Sequence, residues 1–286
     1  MLGIIGGSGL YDLPGLTDLR RERVATPFGD PSDAIVIGKL GPEELAFLPR
    51  HGAGHRLTPT EVNSRANLWA LKKLGATRVI AVTAVGSMKE VIVPGHLVLP
   101  MQYIDRTFAR PKTFFEGGIV AHVAFADPVC PALHGHLQAA AFAAGATAHH
   151  DGTYLCIEGP QFSTRAESFL YKSWNVDVIG MTAMPEAKLA REAELCYATI
   201  ALATDYDCWH GSHESVTVAQ VVETMQKNVA TAREVLRNAA LALGKLGPRT
   251  CACANALDSA VMTAPSLIPP EARDRLALLL GNRYRS

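Results

Sequence analysis

Short apolar runs rich in valine and isoleucine alternate along the chain with segments whose hydrophobic positions recur at helical spacing. The runs at 2–6, 34–40, 46–48, 78–85, 96–100, 153–157, 176–181 and 196–204 predict strands, because they are short and carry the β-branched residues that suit a pleated, buried surface. Between them, 61–74, 132–144, 164–173, 185–194 and 217–243 predict helices. Gly75, Gly145 and Gly244 stand where three of these should stop, and Pro185 stands in the first turn of another. This alternation implies a mainly parallel sheet with helices on its faces. No internal repeat or low-complexity linker interrupts it before about Gly247. Beyond that point Pro248, Pro265, Pro269 and Pro270 predict a tail, 247–286, that wraps the surface of domain 1–246 or a neighbouring subunit and ends in a helix over 270–280.

Open α/β sheets bind ligands beyond the carboxyl ends of their strands, so the strand ends are the places to look for chemistry. Gly6-Gly7-Ser8-Gly9 follows the first strand. It can bring backbone N–H groups and the Ser8 hydroxyl to an anion, or simply make a tight turn. It matches neither the dinucleotide fingerprint, the P-loop nor the nucleophile elbow. Arg50-His51-Gly52-Ala53-Gly54-His55-Arg56 offers a fork of donors suited to phosphate, with a solvated basic loop as the plain alternative. Gly52 and Gly54 oppose the helix that would bring His51 and His55 to one metal ion. Thr83-Ala84-Val85-Gly86-Ser87, Met181-Thr182 and Thr204-Asp205-Tyr206-Asp207 close three further strands, and their convergence on one pocket would be a stronger signal than any one of them. Asp205 and Asp207 could cap a helix, supply a carboxylic acid to a leaving group, or hold a divalent metal. Spacing alone ranks them in that order. Tyr206 and Trp209 read as packing residues.

Composition narrows the partners. With 286 residues, 48% of them hydrophobic, the chain can bury a large core, which excludes general disorder. Lys and Arg number 27 and Asp and Glu 27, so no net charge draws it to nucleic acid or an anionic membrane, and a small-molecule partner is expected. The absence of a long apolar run or a basic, cleavable leader predicts a cytoplasmic protein. Six cysteines are too few for a disulfide scaffold, and no CxxC pair or Cys/His zinc spacing occurs. They read as buried small hydrophobes with free thiols. Only Cys251-Ala252-Cys253 leaves a dithiol reading open.

Ile5-Gly6-Gly7-Ser8-Gly9-Leu10-Tyr11, Arg50-His51-Gly52, Asn63-Ser64-Arg65-Ala66-Asn67, Thr83-Ala84-Val85-Gly86, the stretch from Glu158-Gly159-Pro160-Gln161-Phe162-Ser163 to Glu167, Gly180-Met181-Thr182 and Ala203-Thr204-Asp205-Tyr206-Asp207-Cys208-Trp209 occur in order. Together they resemble the 5′-methylthioadenosine phosphorylases of the trimeric purine nucleoside phosphorylase family, over about 2–243. The family often has Arg where Gln161 stands. The resemblance implies a single-domain α/β fold around a mixed, partly barrel-like sheet, and a homotrimer whose sites borrow residues from a neighbour. It implies a phosphate site of Ser8, Arg50, His51, Thr83, Ala84 through its backbone, and Thr182. Met181 would lie under the ribose, Phe162 and Ser163 would contact the nucleoside, and Asp205 and Asp207 would face the base, Asp205 as the acid. His55 and His122 of the partner subunit would lie toward the 5′ substituent, with Val218, Val221 and Val222 as an apolar wall.

The implied reaction is phosphorolysis of methylthioadenosine to adenine and 5-methylthioribose 1-phosphate. Inorganic phosphate is then a co-substrate, and no metal or organic cofactor is required. A 6-oxopurine or methylthioinosine phosphorylase is the near alternative, commonly carrying Asn where Asp205 stands. A hydrolytic nucleosidase would not need the phosphate residues, and a non-catalytic nucleoside-binding protein is the reading from a different class.

Overall fold

Nine strands among the described residues form one sheet in the order β2-β3-β4-β1-β5-β8-β7-β6-β9: β1 (Leu2–Gly6), β2 (Thr17–Glu22), β3 (Ile35–Leu40), β4 (Glu43–Pro49), β5 (Arg78–Ser87), β6 (Leu97–Arg106), β7 (Ala148–Ile157), β8 (Val178–Gly180) and β9 (Cys196–Asp205). β9 also pairs with β5, which closes β5, β8, β7, β6 and β9 into a five-stranded barrel. The helices are α1 (Ser64–Lys73), α2 (Pro131–Ala143), α3 (Arg165–Ser173), α4 (Ala183–Glu192), α5 (Val218–Leu243) and α6 (Pro270–Leu280). The structure is a computed structural model. It describes all residues except 8–9, 11–12, 212–217, 247–248, 282 and 284–286, and the side chains of 218–223 and 225–227 also lie outside the description.

The sheet is mixed, as the family resemblance implied, and still mainly parallel, as the alternation predicts, with β6–β7 and β7–β8 among its parallel pairs. β1 runs parallel to β4 and β5, and β5 to β9, whereas β2–β3, β3–β4, β5–β8 and β6–β9 are antiparallel. Only Gly41 and Pro42 separate β3 from β4, and so short a connection can join only antiparallel neighbours. β2 was not foreseen, because all its residues are exposed and it carries no apolar alternation. It is an edge strand, held by its ladder to β3 and by the Arg20–Glu44 ion pair. α1 starts at Ser64 rather than 61, because the Asn63 side chain caps it by accepting from the Ala66 N–H. Glu61 instead accepts from the backbone and hydroxyl of Thr58.

Successive residues of the central strands feed opposite apolar layers. Ile5 and Val79 face a layer that includes Leu71 of α1 and Leu189 of α4, while Ile4 and Ile80 face Leu133 and Leu137 of α2 and Val235 and Leu236 of α5. The tail contributes Leu257, Ile268, Ala272, Leu276 and Leu279 to the first layer, so it packs on this chain's own core. Each such leucine or isoleucine is worth roughly 1.5–3 kcal/mol of burial. No helix among the described residues is long and apolar enough to cross a membrane.

Candidate active site

β5 and β9 pair in step from Arg78↔Cys196 to Val85↔Ala203, and then the register shifts so that Gly86 faces Asp205. Thr204 is the extra residue, and the bulge turns the Asp205 carboxylate out of the ladder. The Thr204 hydroxyl donates to Asp205 Oδ2 at 2.7 Å and the Asp207 N–H donates to Oδ1 at 2.8 Å. A Cβ on Gly86 would lie 3.0 Å from Asp205 Oδ1 and 3.3 Å from Asp207 Cβ, so glycine is what gives the carboxyl pair its room. Asp207 opens a short 3₁₀ turn, 207–209, with φ 51°, and accepts from the Ser168 hydroxyl of α3. Trp209 fixes the far end of this turn by donating from Nε1 to the Ser87 carbonyl at 2.8 Å.

Burial pushes the Asp205 carboxyl above its ordinary value against the opposing pull of Thr204 and the Asp207 N–H. Asp207 is pushed the same way, by burial first and also by the charge of Asp205, with Ser168 opposing. The capping role that spacing ranked first survives only as a local turn at one oxygen of Asp205. Burial is what gives the pair the capacity to hold a proton.

A second set of buried charges is built on Glu158 and Arg110. Glu158 accepts from the Phe108 and Ala109 N–H groups at 2.7 and 3.2 Å, from Arg110 Nε at 3.0 Å, and from the Thr60 hydroxyl. Arg110 Nη1 donates to the carbonyls of Met181 and Met184 at 2.6 and 2.7 Å, which fixes the backbone after β8. Arg110 was missed in the sequence, where it stands in a loop with no neighbouring pattern. Gly180 lies so close to Tyr154 that a Cβ would fall 2.1 Å from its hydroxyl. Met181 packs on the cluster holding Trp209 and Tyr206, which bears out the packing role of those two aromatics. Phe162 is half-exposed. The hydroxyl of Ser163 is shielded from solvent with no protein partner, while its carbonyl lies 3.4 Å from Cys208 Sγ. Ser163 thus holds an unused hydroxyl beside the Asp207 turn.

The opposed charges at Glu158 carry a pH dependence. Desolvation works against the carboxylate, but the Thr60 hydroxyl, two N–H groups and Arg110 outweigh it and hold its pKa at about 2 against an ordinary 4.5. A lowered folded-state pKa contributes stability above the unfolded value and loses it as pH falls. Urea unfolding of the wild type should therefore weaken by about 1–3 kcal/mol between pH 4.5 and 2 through this group. Glu158→Gln should remove that slope, and a variant curve parallel to the wild type would refute the assignment.

At the ends of β5 and β8, the Thr182 hydroxyl donates to Thr83 Oγ1 at 2.8 Å, and Thr83 in turn donates to the Ala84 carbonyl at 3.1 Å. Thr182 immediately precedes α4, whose first turn is kinked by non-helical backbone at Met184. Arg50 lies behind them, 3% exposed, and its guanidinium is not an open fork. Nε and Nη2 clasp both oxygens of Glu186 at 2.5 and 3.1 Å. Nη1 donates to the Val82 carbonyl at 2.8 Å and Nη2 to that of Ile5 at 3.3 Å. This corrects the expected display of both prongs to phosphate: one Nη1 hydrogen is left over. Glu186, which also accepts from the Tyr197 hydroxyl at 3.0 Å, was missed because α4 gives no sign that an acid on it is buried.

His51 is likewise not a cationic donor. Burial first, then the Arg50 charge, bring its pKa down to about 4, so the ring is neutral near pH 7. Nδ1 lies 2.9 Å from the Leu57 carbonyl, which fixes the proton there and leaves Nε2 as an acceptor. His55 stacks on it with ring centroids 4.3 Å apart, and Arg56 turns away to the Ser32 carbonyl. His122 is exposed, and its backbone donates to Ala260 of the tail. Ser8 lies outside the described residues, as do the side chains of Val218, Val221 and Val222. A cavity of about 790 Å³ lined by Arg23, Asp33, Arg56 and Glu61 includes none of the strand-end residues.

The five-stranded barrel carries a buried carboxyl pair at the bulged end of β9 and paired threonines on β5 and after β8. The model of the phosphorylase superfamily matches residues 1–240, and the chain belongs to that family. It is 58% identical to the S-methyl-5′-thioadenosine phosphorylase of Geobacter sulfurreducens over 99% of this chain and 98% of that one. It is 53% identical to the protein of that name from Koribacter versatilis, over 99% and 96%. Both alignments extend through the tail. Among solved structures, a methylthioadenosine phosphorylase from an Antarctic soil metagenomic library superposes with TM-score 0.93 at 47% identity, covering 97% of this chain and 98% of that one. The methylthioadenosine phosphorylase of Schistosoma mansoni, solved in complex with adenine, gives TM-score 0.82 at 40% identity, covering 86% and 92%.

Proposed function

We propose that this chain phosphorolyses 5′-methylthioadenosine to adenine and 5-methylthioribose 1-phosphate. The observation that carries the reading is the buried Asp205–Asp207 pair at the bulged end of β9, beside the unpartnered hydroxyl of Ser163. The close, full-length likeness to methylthioadenosine phosphorylases supports the same substrate.

Cleaving C1′–N9 leaves a cation-like ribosyl group and an electron-rich purine, and both must be stabilised as they part. Asp205, kept protonated by burial, donates its proton to N7 while the C1′–N9 electron pair moves into the ring. Asp207 accepts from the 6-amino group, and Phe162 and Ser163 hold the base. Phosphate oxygen attacks C1′ from a site made by Thr83, the Ala84 backbone, Thr182, the remaining N–H of Arg50, and Ser8. Neutral His51 adds an acceptor for a phosphate hydroxyl rather than another donor. Met181 floors the ribose, and His55, with Val218, Val221 and Val222, lies toward the methylthio group.

The reaction consumes inorganic phosphate as co-substrate and needs no metal or organic cofactor. The working form is a cytoplasmic homotrimer in which His122 of the partner subunit completes the 5′ pocket. Val120, Met262 and Leu267, which are 47%, 66% and 72% exposed beside His122 and the tail, supply apolar surface for that contact.

Incubation with methylthioadenosine in the presence and absence of phosphate tests the reading. The expected sugar product is 5-methylthioribose 1-phosphate, formed only with phosphate. Free methylthioribose would indicate a hydrolase, binding without turnover a sensor, and faster cleavage of methylthioinosine the 6-oxopurine alternative. Light scattering should give three chains per particle, and an active monomer would remove the partner's His122 from the site.

A further inference from the structure

Away from the strand-end site, at the opposite end of β9, four of the six cysteines converge. The Sγ atoms of Cys130, Cys196, Cys251 and Cys253 all lie within 4.8 Å of one another, with those of Cys196 and Cys251 only 3.2 Å apart. They come from three separate pieces of chain. Cys130 immediately precedes α2, Cys196 is the first residue of β9, and Cys251 and Cys253 lie in the tail. Such distances in sequence hide the grouping from any spacing rule, which leaves the sequence with packing for most of the cysteines and a dithiol alternative for Cys251 and Cys253 alone.

We propose that these four thiols form a structural zinc site. A tetrahedral thiolate site with metal–sulfur bonds of ~2.3 Å holds its sulfurs about 3.8 Å apart, inside the spread seen here. The spacing suits one ion better than an iron–sulfur cubane, whose thiolates sit on separate irons and farther apart. Four soft ligands in a closed tetrahedron select zinc over magnesium or calcium and leave no open position for catalysis.

The surroundings fit a site of net negative charge. Four thiolates around a divalent ion carry two excess negative charges, and Arg78 and Arg249 line the adjoining cavity of about 350 Å³. Arg249 Nη1 lies 3.9 Å from Cys196 Sγ and is anchored on the Thr77 and Glu194 carbonyls. Cys130 stands at the N-terminus of α2, which fixes its place in the cluster. The cavity, also lined by Cys130, Cys196, Cys251 and His136, is a path by which the ion can enter. Binding replaces the S–H protons, which leave to solvent, and involves no oxidant. The ion would tie the tail to the start of β9 and of α2, roughly 30 Å along the strand from Asp205.

The test uses the full chain, expressed with zinc supplement and purified under reducing conditions without chelator. Elemental analysis should give one zinc ion per chain. Chelation should free four more reactive thiols and speed proteolytic cleavage of the tail. Anaerobic titration of the stripped wild type with cobalt(II) should saturate at one equivalent, with thiolate-to-cobalt charge transfer and intense tetrahedral d–d bands. Cys253→Ser should weaken metal binding by at least about 10–100-fold, the cost of losing even an outer partner, while Cys208→Ser retains the metal. Should Cys253→Ser fail to fold, the wild-type titration still decides. Four titratable thiols with only background metal would overturn the proposal. So would an intact mass lighter by two hydrogens per bridge, showing the thiols paired as disulfides, or iron bound with inorganic sulfide.

Discussion

Asp205→Asn is expected to lower kcat for methylthioadenosine by about 10²–10⁴-fold, the usual share of a positioned general acid. Asparagine keeps the shape and can still accept from Thr204 or from the Asp207 N–H, so the pocket and the substrate's affinity should change little. What is lost is the carboxyl group whose pKa burial raises, the proposed source of the proton. The same change turns an N–H toward the 6-position of the base. The wild type should favour the 6-amino nucleoside by at least roughly tenfold, since a 6-oxo group facing acceptors costs about 1–3 kcal/mol per unsatisfied buried group. The variant should narrow or reverse that preference. Measuring kcat/KM for methylthioadenosine and methylthioinosine with both proteins decides it, and undiminished kcat in the variant would take Asp205 out of the acid role. In the wild type, the rate should fall on the alkaline side as Asp205 gives up its proton, at a pH above the ordinary carboxylate range.

Glu186→Ala should destabilise the fold by about 3–5 kcal/mol, because it leaves the guanidinium of Arg50 buried without its counter-charge and removes the acceptor of the Tyr197 hydroxyl. Both side chains of the ion pair are almost wholly buried, at 4% and 1% exposure, so water cannot make up the loss. In a thermal melt, a drop on the order of 10 °C is expected. Replacing both partners together, Arg50→Met with Glu186→Leu, should recover much of that stability, since a packed apolar pair avoids the desolvation of two charges. The double variant then separates two functions of Arg50. If its remaining N–H serves phosphate, the double variant will melt close to the wild type yet show a sharply raised KM for phosphate. A Glu186→Ala protein that melts with the wild type would show that the pair contributes nothing. Arg50→Ala alone cannot make this distinction, because it leaves Glu186 buried and unpaired at the same time.

Most of the framework was legible because burial writes itself into periodicity. β1, β3, β5 and β9 are apolar along nearly their whole length, and Thr204-Asp205-Tyr206-Asp207 is conspicuous for ending such a run. The signal fails where structure depends on something other than burial. β2 is polar and exposed, and the far half of β6 is largely polar because it continues as a barrel stave beyond the hydrophobic layer. Among site residues, those at strand ends were legible and those that position them were not. Arg110, Glu158 and Glu186 are charged residues whose partners lie distant in sequence, and only the folded chain shows that their charges are neutralised internally. The same distance concealed the four cysteines. It also bears on the 50–56 loop, which reads as a fork of donors or a solvated basic loop, whereas in the fold Arg50 holds Glu186 with one Nη1 hydrogen left over, Arg56 donates to Ser32 and His51 lies on the Leu57 carbonyl.

The single extra residue at the end of β9 makes the site depend on counting as well as on chemistry. Up to Val85↔Ala203 the two strands keep pace, and one additional step on β9 decides that residue 205 meets Gly86. The extra residue bends the strand at that point, so the aim of the Asp205 carboxyl depends on β9 being one residue longer than its partner there. Deleting Thr204 would keep Asp205 opposite Gly86 yet remove both the bulge and the hydroxyl that set its carboxyl, a defect that an inventory of the acidic residues would miss.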